Sequence, residues 1–207
     1  MVSSTNAQSN SFPLDFSPHL TQDTELLQQL SFIPGLKEML MLRQVHALEH
    51  ATVWVLGESP STQTAVASRL LGGMSTDQGF YLYGAVDSAE LHRAVYVALR
   101  RLTHGEWDLA VHPRCGTNLS VGVLLTAGLA LGITWLIPKG PIEQLAGLGM
   151  AAIAGAQLAP DVGAIVQQYV TTSIPFNLAI EEISTSRDRW GRPVHFVRVR
   201  WVEPQKY

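Results

Sequence analysis

Two histidines and a glutamate lie close together in the segment His46-Ala47-Leu48-Glu49-His50. Side chains three or four residues apart share one face of a helix, with Cβ atoms roughly 5–6 Å apart. His46 and His50 can therefore reach one metal ion, with Glu49 at the border of the same site. The His-x-x-Glu-His pattern is also that of a reversed zinc-protease motif, in which the glutamate is the general base toward water at the metal.

A second segment supplies further candidate ligands. It reads His112-Pro113-Arg114-Cys115-Gly116-Thr117-Asn118 and contains the only cysteine of the chain. Zinc is bound by imidazole nitrogen and thiolate sulfur, with four protein ligands in structural sites and three ligands plus water in catalytic ones. The two segments together predict a divalent metal site with zinc as the favoured ion, and we expect the four side chains to converge in the fold. The predicted ligands are His46, His50, His112 and Cys115.

Each of these residues also has an ordinary interpretation. A histidine on a helix is more often a polar surface or core residue than a ligand. Cys115 can be a small buried hydrophobe beside the apolar run that follows it, and Glu49 can pair with Arg43 or Arg114. If the two segments lie apart in the fold, a metal-free interaction domain is the interpretation that holds.

The helices and strands that position the two segments are predicted from helix-breaking, helix-capping and turn-forming residues. A long helix is predicted over residues 36–56, between Pro34-Gly35 and the breaker Gly57-Glu58-Ser59-Pro60. Asp87-Ser88 can cap a helix that runs to residue 103. β-Branched and aromatic residues near turn signals predict short strands. These strands are at residues 80–83, 107–111 and 196–202.

Two apolar stretches follow the second segment. Residues 115–138 carry no charged side chain, and residues 119–137 are apolar except for one serine and two threonines. That length suffices for a transmembrane helix, which needs roughly 20 residues. A second apolar stretch, residues 145–159, is shorter and follows the turn Pro138-Lys139-Gly140-Pro141. The pair predicts a transmembrane hairpin, and two buried core helices of a soluble protein are the alternative.

The charged residues predict which side of the membrane the soluble part faces and which partners to expect. Arginines flank both apolar stretches while the turn between them has one lysine, so the positive-inside tendency puts both termini and the metal motif on the cytoplasmic side or its equivalent. The charged fraction is 15%, below the roughly 25% typical of soluble domains. A net charge of −3 gives no reason to expect nucleic acid as a partner.

The predicted fold class is α+β: mainly helical, with a small soluble part that has a few strands, plus a two-helix transmembrane hairpin. Four parts are predicted along the chain of 207 residues. They are a disordered N-terminal tail (1–20), a soluble helical and αβ part that carries the metal motif (21–115), the transmembrane hairpin (116–175) and a C-terminal segment with a strand (176–207).

Glu49-His50 and the run His-Pro-Arg-Cys-Gly-Thr at residues 112–117, followed by an apolar stretch, resemble motifs of uncharacterised bacterial integral-membrane proteins described as predicted metal-dependent enzymes. The His-x-x-Glu-His start is similar, more closely still, to that of cyanobacterial and plastid membrane proteins of unknown function. The resemblance covers residues 36–137. It implies an integral protein of a plasma or thylakoid membrane, with its metal site on the cytoplasmic or stromal side, and it implies no particular activity.

Two functions are consistent with these observations. We favour a structural or assembly role, in which four protein ligands close the metal site and the protein contacts the lipid bilayer and protein partners in the membrane. The alternative is a membrane-anchored metal-dependent hydrolase or peptidase, in which three of the ligands hold zinc and Glu49 activates water. The number of protein ligands around the metal distinguishes the two functions.

Overall fold

The helix that carries His46 and His50 is α2, Leu36–Gly57, in a computed structural model that describes residues 18–59, 71–136 and 140–203. Gly35 precedes α2 with a φ of 79°, a left-handed conformation that glycine adopts without steric cost. The long helix predicted over residues 36–56 is confirmed. The disordered tail predicted for residues 1–20 falls largely outside the described residues.

Two shorter helices pack against α2. α1 spans Gln22–Gln29 and α3 spans Ser88–Thr103. Asp87 caps α3 as predicted, because its Oδ1 accepts hydrogen bonds from the backbone N–H groups of Ala89 (2.9 Å) and Glu90 (3.0 Å). An apolar stripe at helical spacing faces the core. Its buried members are Leu91, Ala94, Val95, Ala98 and Leu102.

A four-stranded antiparallel sheet joins chain segments that are far apart in the sequence. Its strands are β1 (Gly72–Thr76), β2 (Gly79–Tyr83), β3 (Leu178–Arg187) and β4 (Pro193–Trp201), in the order β1-β2-β4-β3. Phe80, Leu82 and Val197 are fully buried on the core side, because alternate residues of a strand face the same way. The strands predicted at residues 80–83 and 196–202 are confirmed, whereas β1 and β3 were not predicted.

The strand predicted at residues 107–111 is wrong. The structure has a 3₁₀ turn at Trp107–Ala110 instead. The backbone N–H groups of Leu109 and Val111 each bind a carbonyl three residues earlier, at 3.3 and 3.1 Å. Backbone groups paired within their own turn are not available to a neighbouring strand, and the turn brings the carbonyl of Ala110 within 2.7 Å of His50 on α2.

α4 (Gly116–Leu136) and α5 (Pro141–Val166) form a helical hairpin, and a π-helical turn, Gln167–Thr171, follows α5. Two helical stretches, Gly116–Leu136 and Pro141–Thr171, are long and apolar enough to cross a membrane, with mean hydropathy of 1.9 and 1.3. The predicted fold class is therefore confirmed: mainly helical, with a small sheet and two helices of membrane-spanning length.

The two helices of the hairpin pack closely because small residues face each other, as is common between membrane helices. The contacts recur every four residues. They pair Asn118 with Gly163, Gly122 with Ala159, and Thr126 with Gly155. A Cβ atom at Gly155 would overlap Thr126, so the close approach requires glycine there.

Candidate metal centre

His46, His50 and Cys115, called here the ligand trio, meet between α2 and the start of α4. The ring centroids of His46 and His50 lie 4.3 Å apart, as expected for two positions on one helix face. Cys115 approaches from the turn before α4, with its Sγ 3.3 Å from His46 Nε2. One ligand atom of each residue lies within 4.8 Å of the other two. This spacing is compatible with one ion at about 2.1 Å from nitrogen and about 2.3 Å from sulfur.

Backbone carbonyls orient both histidine rings. Nδ1 of His46 lies 3.0 Å from the carbonyl oxygen of Thr171, and Nδ1 of His50 lies 2.7 Å from that of Ala110. Because a carbonyl oxygen only accepts, each Nδ1 carries a hydrogen, and the neutral ring keeps its lone pair on Nε2. Metal-binding histidines commonly make this outer hydrogen bond, which fixes the ring for ligation. The donor set and its orientation therefore fit a zinc-type ion.

The turn before α4 presents the thiol of Cys115. The N–H of Cys115 donates to the carbonyl of His112 (3.1 Å), and the N–H of Asn118 donates to the carbonyl of Cys115 (3.0 Å). Sγ therefore lies at the N-terminus of α4, where the N–H of Thr117 donates to it at 3.4 Å. The partial positive charge at a helix N-terminus favours the thiolate, which is the form that binds metals.

The pKa values of Cys115 and His46 shift in opposite directions. Burial by itself raises the pKa of the Cys115 thiol, but hydrogen bonds from His46, His50 and Thr117 outweigh burial and lower it to about 5. Burial lowers the pKa of His46, and the hydrogen bond and charge of Cys115 more than reverse this, so it lies above the ordinary value. Without a metal, Cys115 is therefore a thiolate at neutral pH, hydrogen-bonded to the His46 ring.

Glu49 borders the ligand trio from the same helix. Ser75 Oγ donates a hydrogen bond of 2.5 Å to Glu49 Oε2. Gly73 of β1 leaves room for the carboxyl group, because a Cβ atom at this position would overlap it. Burial raises the pKa of Glu49, and the Ser75 hydrogen bond and the charge of His50 offset this only in part. A buried carboxyl group with a raised pKa is suited to accept and release a proton.

His112 lies beside the ligand trio and does not join it, in contrast to the expected convergence of four side chains. Its ring centroid is 5.7 Å from that of His50 and 5.1 Å from that of Trp54. The N–H of Arg114 donates to His112 Nδ1 at 3.3 Å, so the neutral ring carries its hydrogen on Nε2. Burial, with the charges of His50 and Arg114, lowers the pKa of His112 to about 4. The neutral ring therefore offers an N–H group rather than a second lone pair.

Gln167 supports the site and was not predicted to do so. It is fully buried, its Oε1 accepts from the N–H of His112 (2.8 Å) and its Nε2 donates to Asn118 Oδ1 (2.7 Å). It thereby ties the second segment to the end of α5. Its amide in an otherwise apolar stretch was the signal in the sequence that could have identified it. A buried amide needs hydrogen-bond partners, so such a residue is expected to connect other polar groups.

The ligand trio lies in the wall of a cavity of about 690 Å³. Glu49, Ser75 and His112 share this wall. A cavity of this volume lies in the range of sites for small organic ligands. The arrangement can therefore hold a cation at one wall and admit water and a second molecule beside it.

Comparisons with known proteins give the family. A family model described as "Domain of unknown function (DUF6391)" matches residues 41–183. An uncharacterized protein of Picosynechococcus sp. (strain ATCC 27264 / PCC 7002 / PR-6) is 56% identical over 193 residues, which are 92% of this chain and 94% of the relative. No solved structure matches the chain. The resemblance to cyanobacterial proteins of unknown function is thus confirmed, and the chain belongs to the DUF6391 family.

Proposed function

We propose that the protein is a membrane-anchored, metal-dependent hydrolase. The observation that carries this proposal is the meeting of three ligand atoms within 4.8 Å of one another in the wall of a cavity of about 690 Å³. Three protein ligands with an accessible fourth position are typical of catalytic zinc sites, whereas structural sites have four. The position of His112 outside the ligand trio favours this function over the structural role that the sequence favoured.

Each polar residue of the cavity has a role in this proposal. The ligand trio holds a divalent ion, zinc for preference, which when bound supplies Lewis-acid polarisation of a carbonyl and acidifies water. Glu49 accepts a proton from the attacking water and returns it to the leaving group. His112 donates a hydrogen bond from its Nε2–H group to the carbonyl oxygen as negative charge develops there. The resemblance of the motifs to those of predicted metal-dependent enzymes agrees with these roles.

The helical hairpin serves as the membrane anchor in this proposal. The hydroxyl oxygens of Thr117 and Thr171, at the two feet of the hairpin, lie 3.5 Å apart. The chain would therefore enter the membrane with the first span and return with the second beside the site. The arginines before α4 and after α5 favour the cytoplasmic or stromal side for the site and both termini. They are Arg100, Arg101, Arg114, Arg187, Arg189 and Arg192. The bilayer of a plasma or thylakoid membrane is then the partner.

A structural or assembly role is the second candidate, and one observation favours it. The trio connects α2 to both feet of the hairpin, because His46 bonds the carbonyl of Thr171 and Cys115 directly precedes α4. A metal ion there would fasten the hairpin to α2 and hold a surface for protein partners in the membrane. This role requires a closed site, with His112 moving in as fourth ligand.

Metal analysis of the detergent-purified protein tests the site. We expect close to one zinc per chain in the wild type and loss of zinc in His50→Ala and in Cys115→Ser. His112→Ala is the matched control, because it removes a neighbouring imidazole and should leave zinc in place. Wild-type protein without zinc, purified without chelator and still metal-free after incubation with zinc, would refute both candidate functions.

Replacement of zinc by Co²⁺ distinguishes the two candidates. The absorption spectrum of Co²⁺ reports ligand number, and a thiolate ligand adds a charge-transfer band. An open site binds added azide, so we expect azide to change the wild-type spectrum. A spectrum that azide leaves unchanged, together with loss of metal in His112→Ala, would establish four protein ligands and reject the hydrolase.

A further inference from the structure

The cavity beside the ligand trio has an apolar side that the hydrolytic roles do not use. Met39, Leu42 and Val170 lie on it and are 51%, 40% and 61% exposed. Val53 and Leu71 continue this side with partly buried side chains. Large apolar side chains around a cavity with a few convergent polar groups indicate a ligand that is itself partly apolar.

Arg43 brings a positive charge to the same cavity. Its Nη2 donates to the carbonyl oxygens of Tyr169 (3.2 Å) and Thr172 (3.0 Å), while its buried Nε has no hydrogen-bond partner. Within the described residues, no carboxylate forms an ion pair with Arg43. A guanidinium held only by neutral carbonyls in a partly buried place favours an anionic partner.

The cavity also lies where both membrane-length helices end. Its lining includes Gly116 and Thr117 at the start of α4, and Val170 and Thr171 at the end of the second candidate span. In the proposed topology this level is the boundary between hydrocarbon and headgroups. A lipid of the adjoining leaflet can therefore reach the cavity sideways, without leaving the membrane.

We infer that the cavity binds an anionic membrane lipid, with its headgroup at Arg43 and one acyl chain along Met39, Leu42 and Val170. The inference deepens the proposed function, on which it rests for the membrane topology, by naming the substrate class as an acyl ester or amide of such a lipid. Hydrolysis breaks the bond between the acyl carbon and the lipid oxygen or nitrogen. Water gives its OH to the acyl carbon and its remaining hydrogen to the leaving atom, so no further reactant is needed.

Photo-cross-linking in nanodiscs tests the inference. The wild-type protein is placed in phosphatidylcholine nanodiscs that contain a small fraction of a lipid with a diazirine in its acyl chain. The labelled lipid is phosphatidylglycerol in one arm and phosphatidylcholine in the other, with the same labelled chain. Mass spectrometry compares cross-links at Met39, Leu42 and Val170 with those at Leu124, a residue of α4 that is 71% exposed and reports ordinary contact with the bilayer.

We expect the ratio of cavity cross-links to Leu124 cross-links to be several-fold higher for phosphatidylglycerol. Arg43→Met should abolish this preference and Arg43→Lys, the matched control, should retain it. Val53→Trp fills the apolar side and should reduce cavity cross-links for both lipids. Zinc content and the thermal unfolding midpoint show that each variant is folded.

Equal ratios for the two lipids in the wild type would overturn the inference, as would cross-links confined to α4 and α5. Loss of cavity cross-links on addition of a transmembrane peptide, at an unchanged Leu124 signal, would assign the cavity to a peptide and also overturn it. The metal is tested apart from the lipid by repeating the wild-type experiment after chelation. Cavity cross-links that persist after chelation would support a lipid site that does not need the metal. The proposed hydrolase is rejected separately, if the metal analysis shows that the wild type binds no zinc.

Discussion

The hydrogen bond between His46 Nε2 and Cys115 Sγ, 3.3 Å long, is the contact that a metal ion in the proposed site would replace. Without a metal the pKa of the Cys115 thiol is about 5 and that of the His46 ring lies above its ordinary value, so the thiol is ionised at neutral pH. A cation bound at the proposed site would compete with protons for these ligands, so metal uptake would depend on pH.

The reactivity of Cys115 follows from its pKa. The thiolate is the nucleophile, so in chelator-treated protein we expect the rate of alkylation by iodoacetamide to rise with pH through a midpoint near 5 rather than near the ordinary 9.0. His46→Gln should move the midpoint upward, because it removes the hydrogen bond from the His46 ring, the largest influence that lowers the pKa of the thiol. Mass spectrometry gives the rate at the single cysteine. The urea-unfolded chain is the control, and a folded-state midpoint at the unfolded value would contradict the thiolate.

Glu49→Gln separates metal binding from chemistry. The amide has nearly the shape of the carboxyl group and can accept the hydrogen bond from Ser75, so we expect zinc content and thermal midpoint to stay close to wild type. It cannot accept a proton, and kcat on an anionic acyl lipid should fall by about 10²–10⁴-fold with little change in KM. Full activity in Glu49→Gln would exclude Glu49 as the base, and Glu38→Gln on the same helix is the control.

Helical spacing was enough to predict that His46 and His50 share a face, and the ligand types of the second segment predicted that Cys115 lies near them. The sequence could not predict that His112 lies outside the ligand trio, because its orientation depends on the hydrogen bond that the N–H of Arg114 donates to its Nδ1. The carbonyls of Thr171 and Ala110 lie 125 and 60 residues away from the rings that they orient. Such contacts arise only when the whole chain has folded.

At the scale of elements, the packing of α4 on α5 requires a small residue at particular positions. Gly155→Val would place side-chain atoms against Thr126, where even a Cβ atom overlaps, and overpacking of this kind typically costs about 1–3 kcal/mol. We expect a lower midpoint for Gly155→Val in unfolding by sodium dodecyl sulfate, followed by circular dichroism.

Gly149→Val is the matched control in the same helix, because a Cβ atom at Gly149 meets nothing within 4 Å. It should unfold at nearly the wild-type midpoint. Equal destabilisation of both variants would show that the loss does not come from contact between α4 and α5.

Elements with strong boundary signals were predictable, and those without such signals were not. Asp87 marks the start of α3, and an uncharged run marks α4. β1 begins with Gly72-Gly73, typical of a turn, and is a strand because it pairs with β2. β3 is a strand because it pairs with β4 over nearly its whole length. Pairing between distant segments decides such strands more than their own residues do.

At the scale of the whole molecule, we expect the part that contains the sheet to fold without the helical hairpin. The feet of the hairpin lie 3.5 Å apart at Thr117 and Thr171, so a short linker can replace what lies between. We expect a chain with residues 122–160 replaced by a Gly-Ser linker of about four residues to be soluble without detergent, because it lacks the exposed apolar helices. It should also bind close to one zinc per chain, because Asn118, Gln167 and the ligand trio are kept.

Gel filtration and metal analysis check this prediction, with the same deletion carrying His50→Ala as the zinc-free control. A soluble, folded product without zinc would show that the site needs the hairpin. An aggregated product would show that the hairpin stabilises the sheet and the helices around it.

One dimension of α4 has a consequence for where the chemistry can take place. The helix has 21 residues and is about 32 Å long at 1.5 Å per residue, nearly the hydrocarbon thickness of about 30 Å. Cys115 directly precedes its first residue, so in the proposed topology the length of α4 fixes the depth of the thiol relative to the membrane surface. A thicker bilayer would immerse the thiol and a thinner one would lift it out of reach. Membrane thickness would then determine which acyl bonds of the proposed lipid substrate lie within reach of the metal site.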